Sequence, residues 1–120
     1  MSNVILIIDD DIDILDVLRD LNAYAGISSI CKTGIISIDE LIDLNPGLIL
    51  LDHWLYDGYG SDFCKTVKAN PQTSHIPIVM MTAVMDLELS DVAEADGLIR
   101  KPFDIDYLQD VIAHYIPGPR

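Results

Sequence analysis

Positive charge is scarce in this chain: 7 Lys+Arg stand against 20 Asp+Glu in 120 residues, a formal charge of −13. Nucleic acids and anionic membrane surfaces both bind through clustered Lys and Arg, so neither is an expected partner. Cysteine is scarce too. Cys31 and Cys64 lie outside any CxxC pattern and are too few for a disulfide framework, so free thiols in a cytoplasmic setting are expected. No apolar run approaches the ~20 residues of a membrane span. The start, Met1-Ser2-Asn3-Val4, places no basic region before its apolar stretch, as a secretory signal would. His53, His75 and His114 show no metal-ligand spacing. What is present is one domain of ordinary size, residues 1–120, half of it apolar and so not a disordered acidic tail. A cation, or a basic face of another protein, is the expected partner.

Short apolar runs alternate with segments of helical period. Val4–Ile8, Leu48–Leu51 and Ile76–Met81 are continuous rather than alternating, as in strands buried on both faces of a parallel sheet. Ile27–Lys32 is mixed and Leu98–Arg100 ends in charge, so both read as edge strands. Helical faces follow: Ile14, Leu15, Leu18, Leu21 and Ala25 after Asp11; Ile38, Leu41 and Ile42; Phe63, Cys64 and Val67, stopped by Asn70-Pro71. A weak pattern, Leu87, Val92 and Ala95, runs among five acids. Ile105, Leu108, Val111, Ile112 and Tyr115 follow the N-cap Asp104 and stop before Pro117-Gly118-Pro119. Five β-α repeats imply a doubly wound α/β fold.

The residues after each run carry the chemistry. Asp9-Asp10-Asp11 follows the first, Asp52 ends the third, Thr82 the fourth and Lys101 the fifth. In an open parallel sheet the carboxyl ends of the strands share one edge, where ligands bind. Carboxylates gathered there repel one another unless a hard divalent cation such as Mg²⁺ sits among them. Lys101 and Thr82 could then hold phosphoryl oxygens while Asp52 attacks as nucleophile. Each residue alone has a local role: a carboxylate, most simply Asp11, caps the first helix, and Thr commonly ends strands. Their joint placement is what points to phosphoryl transfer.

In these motifs the chain resembles a response-regulator receiver domain of two-component signalling, over about residues 3–117. The motifs are Ile7-Ile8-Asp9-Asp10-Asp11, Leu50-Leu51-Asp52 with Gly60 eight residues on, Met81-Thr82-Ala83 and Lys101-Pro102-Phe103. The resemblance implies a flavodoxin-like five-stranded parallel sheet of order 2-1-3-4-5 with helices on both faces. It implies that Asp52 takes a phosphoryl group from a histidine kinase or histidine phosphotransfer protein. Asp9, Asp10, Asp52 and the Trp54 carbonyl would hold Mg²⁺, Thr82 would turn toward the phosphoryl oxygen, and Lys101 would pair with Asp52. A cis Lys101–Pro102 bond is implied as well. Such a domain is a monomer or weak dimer that promotes only its own phosphorylation and dephosphorylation and passes the signal to a downstream protein.

Three positions depart from the pattern. Leu98 stands where many receivers carry a switching aromatic residue. The stretch from Thr82 to Lys101 is short, so the fourth helix should be short or loose. Tyr56 replaces a usual proline four residues past Asp52. Leu98 and the short helix motivate a second reading, a phosphorylation-independent interaction module. Trp54 and Val84 occupy positions where the family tunes phosphoryl lifetime, and His53 should point away from Asp52 by strand alternation. Asp57 should shape the loop toward Gly58. Phe103, Tyr107, Met80 and Met81 read as packing.

Overall fold

A computed structural model describes residues 3–55, 58–84, 87–92 and 94–116; Tyr56, Asp57 and Pro117–Pro119 lie outside them. The elements in order are β1 (Val4–Ile8), α1 (Ile12–Tyr24), β2 (Ser28–Lys32), α2 (Ile38–Leu44), β3 (Leu48–Asp52), β4 (Trp54–Leu55), β5 (Gly58–Tyr59), α3 (Gly60–Ala69), β6 (Ile78–Thr82), a 3₁₀ turn (Leu89–Val92), β7 (Gly97–Arg100) and α4 (Ile105–Tyr115). The main sheet runs β2-β1-β3-β6-β7, all parallel, which is order 2-1-3-4-5 among its own five strands. The two mixed segments, β2 and β7, form its edges.

The continuous apolar runs are explained by burial on both faces. Leu6, Ile8, Ile49, Leu51, Ile78 and Met80 point to the layer of α2 and α3, meeting Leu41, Phe63, Cys64 and Val67. Ile5, Ile7, Leu48, Leu50, Val79 and Met81 point to α1 and α4, meeting Leu15, Leu18, Leu108 and Ile112. Each such side chain is worth ~1.5–3 kcal/mol when fully buried, which fixes the strand register. α1, α2 and α4 are capped by Asp11, Ser37 and Asp104, whose side chains accept backbone N–H bonds from the first turn, while α3, with Tyr59 at its cap position, has no side-chain cap bond. Asn45 closes α2 in the left-handed region at φ 44°, which Asn tolerates better than most residues. Phe103 packs as expected against the α1/α4 layer, whereas Tyr107 is half exposed and is no core residue.

The fourth helical segment is only the 3₁₀ turn. Leu87, Val92 and Ala95 still pack on the core, but the short, acid-rich stretch between β6 and β7 forms no α-helix among its described residues. Leu98 is half-buried against the same layer.

The amino end of the sheet is pinned by one lysine. Lys68 Nζ donates to the Ile76 carbonyl at 2.7 Å and to Asp96 Oδ2 at 2.9 Å. Asp96 Oδ2 also accepts from the Ile78 N–H at 2.8 Å, so α3, β6 and the approach to β7 are tied together. Lys68→Met should lower stability by about 1–3 kcal/mol, because charge-assisted bonds to the part-buried Ile76 carbonyl and the more exposed Asp96 carboxylate are lost together. Urea unfolding measures it; a loss below ~0.5 kcal/mol, ordinary for a surface site, would show that the tie carries no weight.

Candidate functional site

The carboxyl ends of β1, β3 and β6, with the residue after β7, bring Asp9, Asp52, Thr82 and Lys101 to one place. Asp9 is fully buried, Asp52 is 8% exposed and Thr82 2%. Asp10, next on the chain, is exposed. One oxygen of each of Asp9, Asp10 and Asp52 lies within 4.8 Å of the others. Asp11 stands apart as the cap of α1, while its own N–H donates to Asp9 Oδ1 at 2.9 Å.

Lys101 Nζ reaches the same cluster. It donates to Asp9 Oδ2 at 2.7 Å and to Asp52 Oδ1 at 3.3 Å. The Asp52 pairing that the resemblance implies is therefore present, and Asp9 is a second and nearer partner, the wholly buried Asp9 carboxylate having more to gain from a counter-ion. The Lys101 N–H donates to the Thr82 carbonyl at 2.7 Å, and the Lys101–Pro102 bond is cis. Thr82 Oγ1 accepts from the Val84 N–H at 3.0 Å, which leaves its own proton free to donate.

Burial and the Asp9 charge push Asp52 up to about 6, with Lys101 opposing them. Burial pulls the Lys101 ammonium down, but the hydrogen bond and charge of Asp9, followed by those of Asp52, raise it above its usual range. The pocket thus holds a carboxylate, Asp52, that is shielded from water and partly repelled by its neighbour. A hard divalent cation fits these donors: three carboxylates at close quarters, one open to water. Gly60 lets the start of α3 approach, since a Cβ there would fall 2.2 Å from the Asp52 carbonyl oxygen.

The β4–β5 ribbon has no counterpart in the sequence reading. Two-residue strands are too short for any period, and the one usable signal was the Asp57-Gly58 turn dipeptide. The ribbon pairs Trp54 with Tyr59, and both flank the pocket beside Asp10. His53 packs with these two rings, and its buried Nδ1 has no hydrogen-bond partner among the described residues.

Residues 5–113 match the response regulator receiver domain family. The chain belongs to that family. It is 33% identical over 107 residues to the DNA-binding response regulator MtrA of Mycobacterium tuberculosis, covering 86% of this chain and 46% of that protein. It thus spans about half the length of such DNA-binding relatives. Sporulation initiation phosphotransferase F of Bacillus subtilis is 28% identical over 121 residues, covering 98% of this chain and 96% of that one. Among solved structures, a CheY-like response regulator receiver domain protein of Methanospirillum hungatei superposes with a TM-score of 0.82 at 25% identity, over 98% of this chain and 95% of that one. The solved structure shares the receiver fold; in this chain the described residues between β6 and β7 form one 3₁₀ turn, Leu89–Val92. No helix among the described residues is long and apolar enough to cross a membrane.

Proposed function

We propose that this receiver domain accepts a phosphoryl group on Asp52 from the phosphohistidine of a kinase or phosphotransfer protein. The observation that supports it most is the meeting of Asp52, Lys101 and Thr82 beside two further carboxylates at one sheet edge. An Asp52 oxygen attacks phosphorus, the P–N bond breaks, and the imidazole leaves with the electron pair and takes a proton. Lys101 turns from Asp9 and Asp52 to a phosphoryl oxygen, and the free proton of the Thr82 hydroxyl bonds another. Asp9, Asp10 and Asp52, with the Trp54 carbonyl, would hold Mg²⁺. The metal, when bound, neutralises the carboxylates and the incoming phosphoryl charge. The product acylphosphate biases a two-state equilibrium read by a downstream protein. With Leu98 aliphatic and already packed inward, that change proceeds without an aromatic swing at this position.

The expected result is that acetyl phosphate and Mg²⁺ add one phosphoryl group, seen by intact mass or by a phosphate-affinity gel, and that Asp52→Ala takes none. No modification, or modification that survives Asp52→Ala, would refute the proposal and favour a phosphorylation-independent interaction module.

A further inference from the structure

The β4–β5 ribbon holds an aromatic group that the phosphoryl chemistry does not use. Trp54 and Tyr59 are directly opposite one another across the ribbon, so their side chains share a face. Their ring centroids lie 6.1 Å apart, with planes inclined at 33°. His53 stacks near Trp54 with centroids at 6.5 Å and planes at 13°. Despite this mutual packing, Trp54 is 60% exposed and Tyr59 50%. Apolar ring surface of this size held in water, at the rim of a functional pocket, marks a contact surface.

Its chemistry narrows the occupant. Asp10 lines the same groove with Trp54, Leu55, Gly58 and Tyr59. It forms no ion pair or hydrogen bond with any described residue. Ring faces are electronegative and a carboxylate more so, and the chain around them carries a charge of −13. A cation is therefore drawn to the groove and an anion is repelled. Mg²⁺, which Asp10 and the Trp54 carbonyl would help to hold on the Asp9 and Asp52 side, takes oxygen ligands and gains nothing from the exposed rings, so it does not account for them. Guanidinium suits both parts at once: it is flat and weakly hydrated, stacks on Trp and Tyr, and presents paired N–H donors to a carboxylate.

We infer that Trp54, Tyr59 and Asp10 form a notch for an arginine side chain of a partner protein. Its position beside a phosphoacceptor, and hence its use during phosphoryl transfer or output, rests on the function proposed above; the notch itself does not.

Trp54 is the single tryptophan, so its fluorescence reports the notch directly. The intact chain, kept metal-free with EDTA, is titrated with N-acetyl-arginine amide and with N-acetyl-citrulline amide, which has nearly the same shape without the charge. The arginine amide should give a saturable change and the citrulline amide one at least threefold weaker. Tyr59→Leu, at an exposed position, should weaken arginine binding at least threefold, while Tyr59→Phe, which keeps the ring face, should retain it. Equal responses to the two amides, or a Tyr59→Leu chain that binds as the parent does, would overturn the inference. Acetyl phosphate labelling separates the two ideas. A chain that binds arginine but takes no label refutes the phosphoacceptor reading and leaves the notch standing; a chain that labels but ignores arginine does the reverse.

Discussion

Gly60→Ala is expected to destabilise the domain by about 2–4 kcal/mol, at or above the usual range for overpacking a tight contact. The added Cβ would sit 2.2 Å from the Asp52 carbonyl oxygen and 3.1 Å from both Leu51 Cγ and Met80 Cε. The first of these neighbours is backbone and cannot rotate away. Relief requires α3 to back off the end of β3, which also strains the bond from the Gly60 N–H to the His53 carbonyl, now 2.8 Å. Urea unfolding should show the midpoint falling by ~1–3 M for the slopes usual in domains of this size. A midpoint within ~0.3 M of the parent would mean that α3 yields freely and that the close approach is not structural. Labelling by acetyl phosphate should also slow in this variant, because the same shift displaces the carboxylate that Gly60 backs.

Asp52→Asn works in the opposite sense and depends on pH. In the fold Asp52 releases its proton near 6, against an ordinary 3.8, so the folded state binds a proton that the unfolded chain has already lost. Stability from this group is therefore greatest below pH 4, falls as pH rises toward 6, and stays reduced above it. At 1.36 kcal/mol per pH unit, the ionised carboxylate opposes folding by about 2–3 kcal/mol at neutral pH. Asn carries no such penalty and still offers an oxygen to Lys101. The variant should match the parent near pH 4 and exceed it by about 1–3 kcal/mol at pH 7.5, once some loss of the Lys101 pairing is allowed for. Denaturation at the two pH values, without metal, measures the gap. An equal gap at both, or a variant weaker than the parent at pH 7.5, would refute the assigned cause.

The three inner strands were legible because burial on both faces leaves an unbroken apolar run. The two edge strands were legible because one-sided exposure mixes their composition. Asp9, Asp10, Asp52, Thr82 and Lys101 were legible for a topological reason: parallel strands deliver whatever follows them to one edge. The arrangement within the pocket was not. Whether Lys101 sits nearer Asp9 or Asp52 is a matter of tenths of an ångström, 2.7 against 3.3 Å, that no spacing encodes. The Trp54–Tyr59 ribbon was hidden by its brevity, and Tyr59 had no motif to flag it. In the acidic segment after Thr82 the apolar spacing was helical, but few of its side chains face the core, and its described residues form one 3₁₀ turn.

That turn also divides the molecule by how hard each part is to open. β3 has neighbours on both sides and five buried residues, so its amides open only when the whole domain does. Residues 87–92 are held by short-range bonds, such as the Asp91 N–H to the Glu88 carbonyl at 2.9 Å, by the exposed Glu88–Arg100 ion pair at 3.5 Å, and by the packing of Leu87 and Val92. Their opening free energy is local and small beside the global one. The domain therefore mounts its pocket on the strands with the most partners and sets beside it a segment with fewer, which hydrogen exchange is expected to show opening at lower free energy than the sheet.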